Sequence, residues 1–246
     1  MLFCTLLITS GARADGVATL VIIIDDLGNH LESGKRAVNL PGKVNLAILP
    51  QTPESQTLAQ LSAAAGKEVL LHAPMSNVRG KKLGPGGLTE DMSEAQFRAA
   101  LAANIDAIPH ARGVSNHMGS DLTARRIPME WLMGELAARD RYFVDSRTSK
   151  HTLAATVAGE YQIPHLSRQV FLDNEISRDA IHASFQRLLK QADQNGIGIA
   201  IGHPYPETLD YLQEVLPTLD AAAYRLALIS EVLAEQAGQS QAAVLR

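Results

Sequence analysis

Two adjacent carboxylates, Asp25 and Asp26, close the apolar run of LVIIIDDLG. Histidines stand in the same place after other apolar runs: His72 in VLLHAPM, His117 in GVSNHMGS and His203 in IAIGHPYPET. Asp145 ends its run in FVDSRTS the same way. Asp and His without cysteine make a nitrogen and oxygen donor set, suited to Zn²⁺ or another divalent cation. A catalytic ion of this kind needs about three protein ligands and an open position. A carboxylate beside it is placed to accept a proton, and a second acid to donate one. Two like charges at the end of a buried segment repel each other and resist desolvation, and a divalent cation offsets both effects.

Each residue also has a structural reading when taken alone. A single histidine after an apolar run is commonly a satisfied core histidine. Asp145 before Ser146 suits a turn cap, and Asp25-Asp26-Leu27-Gly28 suits a charged turn. Their joint placement is the signal, because each follows a different apolar run at the same end. His30, His110, His151, His165 and His182 lack that placement and read as structural.

The apolar runs are candidate strands at 19–24, 44–49, 68–71, 113–116, 142–144, 169–172, 197–201 and 225–228. They are rich in Val, Ile and Leu without clean alternation, as strands buried on both faces are. Helical stretches fall between them at 53–65, 94–107, 128–139, 178–194, 207–220 and 230–237. Gly66 is a suitable residue to end the first of these. Ser93 with Gln96 forms a capping box, and Pro128 suits a first turn. Repeated alternation of strand and helix means a parallel sheet with helical crossovers. Closed, it is a (β/α) barrel; open, it is a doubly wound sheet. In both, ligands gather at the C-terminal strand ends, where Asp25, Asp26, His72, Asn116, His117, Asp145 and His203 fall. Residues 77–93 and 146–168 interrupt the rhythm as irregular loops.

The chain has 246 residues and a net charge of -4. No basic run resembles a phosphate-binding stripe, so a nucleic-acid partner is not expected. The opening MLFCTLLITSGARADG has a short apolar core and an Ala12-Arg13-Ala14 cleavage pattern, but no basic start. It reads as a signal peptide over 1–14, too short to span a bilayer. A single domain over 15–238 and a polar tail over 239–246 complete the expected organisation. The only cysteine, Cys4, lies in the signal, so no disulfide is expected in the mature chain.

In this order, IIIDDLG, LLHAPM, SNHMGS, FVDSRTS and IGHPYPET resemble the motifs of the divergent polysaccharide deacetylase family. That family is a distant branch of the NodB-homology carbohydrate esterases, and the resemblance covers about residues 17–235. It implies a deformed (β/α)7 barrel and a secreted or periplasmic protein. By position it implies Asp25 as catalytic base, Asp26 as metal-ligating aspartate and His72 as the first metal histidine. His203 matches the general acid, and Asp145 the aspartate that supports the base or its polar neighbours. The standard enzymes carry a second histidine four residues after the first, where this chain has Ser76. His117, from the next strand, is the nearest substitute and completes an inferred Asp26–His72–His117 set for a divalent metal, Zn²⁺ by donor type.

The reaction implied is metal-assisted amide hydrolysis of an N-acetylated envelope glycan. Asp25 takes a proton from water and His203 gives one to the departing amine. The missing second histidine prompts a rival reading, a glycan-binding or envelope-assembly protein that keeps the fold without turnover. Another metal hydrolase, such as a phosphodiesterase, is the third.

Overall fold

The computed structural model describes residues 16–244; the signal-peptide expectation lies outside them. Nine strands occur among the described residues: β1 (Ala18–Leu27), β2 (Asn45–Ile48), β3 (Glu68–Met75), β4 (Ala111–Met118), β5 (Tyr142–Asp145), β6 (His165–Ser167), β7 (Val170–Phe171), β8 (Ile197–Gly202) and β9 (Tyr224–Leu226). The helices between them are α1 (Leu31–Val38), α2 (Ser55–Ala64), α3 (Glu94–Asp106), α4 (Arg126–Ala138), α5 (Ala154–Glu160), α6 (Arg178–Asn195) and α7 (Pro206–Val215), with α8 (Ile229–Val244) at the end. Every strand pairing is parallel. The order is β6-β5-β4-β3-β2-β1-β8-β7, with β9 added to β1. The sheet curls into the expected deformed barrel.

β6 and β7 are the two ends of that order and do not pair with each other. Two residues, Arg168 and Gln169, carry the chain from one end to the other. The Arg168 N–H donates to Asp145 O on β5, and the Gln169 N–H donates to Ile199 O on β8. The ring is therefore joined at this seam by the chain itself rather than by a ladder.

Alternation sorts the apolar side chains into two cores. Leu20, Ile22 and Ile24 of β1 face the helices, together with Leu46, Ile48, Leu71 and Phe143. Val21 and Ile23 face inward, where they meet Ala47, Leu70, Val144, Ile199 and Ile201. Ile229, Val232 and Leu233 of α8 join the inward cluster. Each such Val, Ile or Leu contributes about 1.5–3 kcal/mol through burial, so the strand ends rest on a well-filled barrel. Asn45 ties α8 in place: its Oδ1 accepts from the Ile229 N–H at 3.0 Å, and its Nδ2 donates to Ile22 O at 3.0 Å.

The local signals behave as their chemistry requires. Ser93 and Gln96 form the capping box of α3, and Ser177 caps α6. Gly66 and Gly196 both take positive φ just past their helices. The segment 146–168 is more ordered than expected, because α5 and β6 lie within it. Both are short and present little apolar pattern. The loop at 77–93 doubles back so that Leu88 is buried and bridges to Met75. The last helix runs to Val244, past the 230–237 expected. No described helix is long and apolar enough to cross a membrane.

Candidate metal centre

The same alternation decides which polar residues reach the inside of the barrel mouth. On β1 the inward series Val21, Ile23 continues to Asp25. On β3 Leu70 continues to His72, on β8 Ile199 and Ile201 continue to His203, and on β4 Ser115 and His117 share a face. Asp26 would alternate outward. Instead it takes φ 59°, in the left-handed region, and the β1–β2 register shifts between Ile24 and Leu27. This bulge re-aims one side chain, so both carboxylates serve the same mouth. Gly28 follows at φ 122°, where a Cβ would lie 2.2 Å from Thr52 Oγ1, so only glycine fits the exit.

Asp26, His72 and His117 each offer one ligand atom, and these atoms lie within 4.8 Å of one another. Asp26 Oδ1 stands 2.7 Å from His117 Nδ1 and 3.2 Å from His72 Nε2. Neither contact has hydrogen-bond geometry, which leaves Asp26 Oδ1 buried without a hydrogen-bond partner. Ligands about 2.0–2.2 Å from one tetrahedral ion stand roughly 3.4 Å apart, so the donor set fits a divalent cation in size and in type. His72 is held from behind, its Nδ1 2.8 Å from Ser115 Oγ. With the proton on Nδ1, the Nε2 lone pair faces Asp26. β2 lies between β1 and β3, and its inward residue is the small Ala47, which leaves room for donors from both sides to meet.

Asp25 lies beneath this set. Its Oδ2 is 3.5 Å from His72 Nε2, and its Oδ1 is buried without a hydrogen-bond partner. Burial raises its pKa above the usual carboxylate value, and Asp26 beside it adds to the rise; His72, His203 and His117 oppose it. For Asp26, burial also favours the neutral form, but the imidazoles of His117 and His72 outweigh it. They hold Asp26 well below the usual carboxylate range.

His203 approaches from the other side, with its Nε2 3.9 Å from Asp26 Oδ2. Its Nδ1 is 2.9 Å from Asp173 Oδ1, and its backbone N–H donates to Asp173 Oδ2 at 2.6 Å. Thr208 Oγ1 donates to the same Oδ2 at 2.8 Å. Burial lowers the His203 pKa, but the Asp173 hydrogen bond and charge, with Asp26 and Asp25 beyond, push it up to about 9. The ring is thus set to hold a proton at neutral pH with Nε2 facing the mouth.

Asp173 and Ser115 are not among the residues that the motifs single out. Asp173 directly follows the sixth candidate strand and shares the face of inward Phe171, so the alternation that selects His203 also selects it. Asp145 is placed differently. It shares parity with Phe143 of the helix-facing core, and it accepts hydrogen bonds from the Arg147 N–H at 2.8 Å and Thr152 Oγ1 at 3.0 Å. Arg168 bonds the carbonyls of Ser146 and Arg147 just beyond it, and burial lowers the Arg168 pKa. Asn116 also turns from the mouth and accepts from the Ser146 N–H. The remaining histidines stay outside the cluster; His182, for example, bonds Tyr211 between α6 and α7.

Asp173→Asn should lower the His203 pKa in metal-free protein from about 9 toward the ordinary imidazole value, as read by NMR titration of the ring. Because folding raises this pKa, the protonated ring stabilises the fold fully below about pH 6.5, its unfolded value. That contribution fades as pH rises through about 9. Metal-free wild type should lose stability over this window, and the Asn variant should lose less. Equal titration in both proteins would refute the pairing.

Known proteins share the sequence pattern and the fold. A protein of Haemophilus influenzae described as uncharacterized is 34% identical over 219 residues, covering 89% of this chain and 78% of its own. The crystal structure of an uncharacterized Agrobacterium tumefaciens protein superposes with a TM-score of 0.84 at 22% identity, covering 91% of both chains. The fold recurs in the peptidoglycan deacetylase PdaC of Bacillus subtilis, at TM-score 0.57 and 13% identity, with 94% of this chain and 96% of that one covered. It recurs also in a CE4 family pseudoenzyme of Bacillus anthracis, at TM-score 0.54 and 16% identity, with 88% and 66% covered. The pattern of one family accounts for residues 22–233, from the first strand to the last helix. The chain belongs to the divergent polysaccharide deacetylases.

Proposed function

We propose that this protein is a metal-dependent hydrolase that removes N-acetyl groups from an envelope glycan after export. The observation that carries the proposal is the convergence of Asp26, His72 and His117, with Asp25 on one side and the His203–Asp173 pair on the other. Those three residues would hold the ion, Zn²⁺ by donor type. When bound, a divalent ion of this kind lowers the pKa of water and polarises a carbonyl. Asp25, with its unbonded Oδ1 and raised affinity for protons, accepts the proton of the attacking water. His203, kept protonated by Asp173, delivers a proton to the leaving amine nitrogen. Asp173 fixes the ring orientation that makes this transfer direct.

Acetate release from N-acetylglucosamine oligosaccharides tests the reading. Full-length protein should release acetate, lose that activity on chelation, and regain it with added Zn²⁺. Ser76, in place of a second histidine, favours the rival glycan-binding reading. In the fold Ser76 donates to Asp121 at 3.1 Å, and His117 supplies the third donor instead. Tight glycan binding by fully metal-loaded protein, with no acetate from any oligosaccharide, would favour the rival.

A further inference from the structure

Beside the seam between β6 and β7, residues of β7 and α6 line a cavity of about 520 Å³. Pockets of this size hold small ligands. Its charged lining residues are Arg168, Arg187 and Lys190, and no carboxylate lines it. In a chain of net charge -4, three cations lining one cavity are a local concentration of positive potential. Arg187 bonds only the Ser184 hydroxyl, at 2.8 Å, and neither Arg187 nor Lys190 forms an ion pair among the described residues. Arg168 spends its guanidinium on the carbonyls of Ser146 and Arg147 and lies 3.7 Å from the Phe171 ring centre. Phe171 also lines the cavity, and its ring meets the His203 ring at 6.1 Å and 25°. One residue therefore adjoins both this cavity and the His203 side of the metal centre.

From this placement we infer that the substrate is an acidic glycan: while the acetamide lies at the metal centre, a carboxylate or phosphate on a neighbouring sugar binds Arg187 and Lys190. The inference rests on the deacetylase reading and names its substrate class. Guanidinium forks match the oxygens of either anion. Gln191, Gln194 and Asn174, which complete the lining, offer hydrogen bonds suited to sugar hydroxyls.

The test uses full-length, metal-loaded Asp25→Asn protein and three N-acetylated oligosaccharides of equal length: neutral, carboxylated and phosphorylated. Titration calorimetry at low salt should show an anionic probe binding at least about tenfold tighter than the neutral one, a preference that added salt erodes. The preferred probe tells carboxylate from phosphate. Arg187→Glu with Lys190→Glu should abolish the preference, and Arg187→Gln with Lys190→Gln should weaken it. Both sites are exposed on α6, so thermal unfolding should match the parent protein. Equal binding of neutral and anionic probes, or a preference that survives charge reversal, would overturn the inference. Acetate release by wild type without any charge preference would overturn it while leaving the deacetylase reading intact. Charge-dependent binding through Arg187 and Lys190 without acetate release by wild type would sustain the anion site and sink that reading.

Discussion

Asn in place of Asp25 should leave metal content unchanged and reduce the rate of acetate release by about 10²–10⁴, the range for losing a positioned general base. The change keeps the shape of the side chain and removes its ability to accept a proton. Asp25 is buried, its Oδ1 has no hydrogen-bond partner, and His72 Nε2 is 3.5 Å from its Oδ2. Such a carboxylate costs the fold stability. The Asn variant should therefore be at least as stable as wild type when both are metal-free. A rate within tenfold of wild type would show that Asp25 is not the base. Loss of metal alongside loss of rate would instead make Asp25 part of the ligand set.

Asp26→Ala should nearly empty the metal centre. Its Oδ1 faces both histidines, at 2.7 and 3.2 Å, and supplies the negative charge among the three donors. Losing it should weaken metal binding by more than about 100-fold, measured by competition with a chelating dye. Ser115→Ala removes only the partner of His72 Nδ1 and should cost about 10–100-fold, as changes behind a ligand do. His117→Ala should resemble Asp26→Ala. Because a bound ion stabilises only the folded chain, wild-type melting should rise with added metal while Asp26→Ala stays flat. Metal affinity unchanged in both Asp26→Ala and His117→Ala would refute the ligand set.

Most of the architecture was legible in the chain. Strands buried on both faces must be apolar throughout, so β1, β3 and β8 announced themselves. Capping by Ser93 and the glycines past α2 and α6 act through local hydrogen bonds and local φ, which neighbouring residues specify. The elements without a clear signal in the chain, α1, α5 and β6, are short and bury few side chains of their own. Neighbouring elements hold them in place.

At the site, the sequence by itself determined the chemical types and the end of the barrel where they stand. Asp25, Asp26, His72, His117 and His203 all follow apolar strands, and that order is written in the chain. Tertiary structure decided which of them face one another. Alternation alone sends Asp26 outward, and only the bulge against β2 turns it toward His72 and His117. Only the β3–β4 register sets His72 beside Ser115, with His117 two residues beyond on the same face. Only the adjacency of β7 and β8 brings Asp173 to His203 across thirty residues of chain. Residue type and strand order are local properties of the sequence. The direction of a side chain at a strand end depends on register and curl, which the neighbouring strands impose.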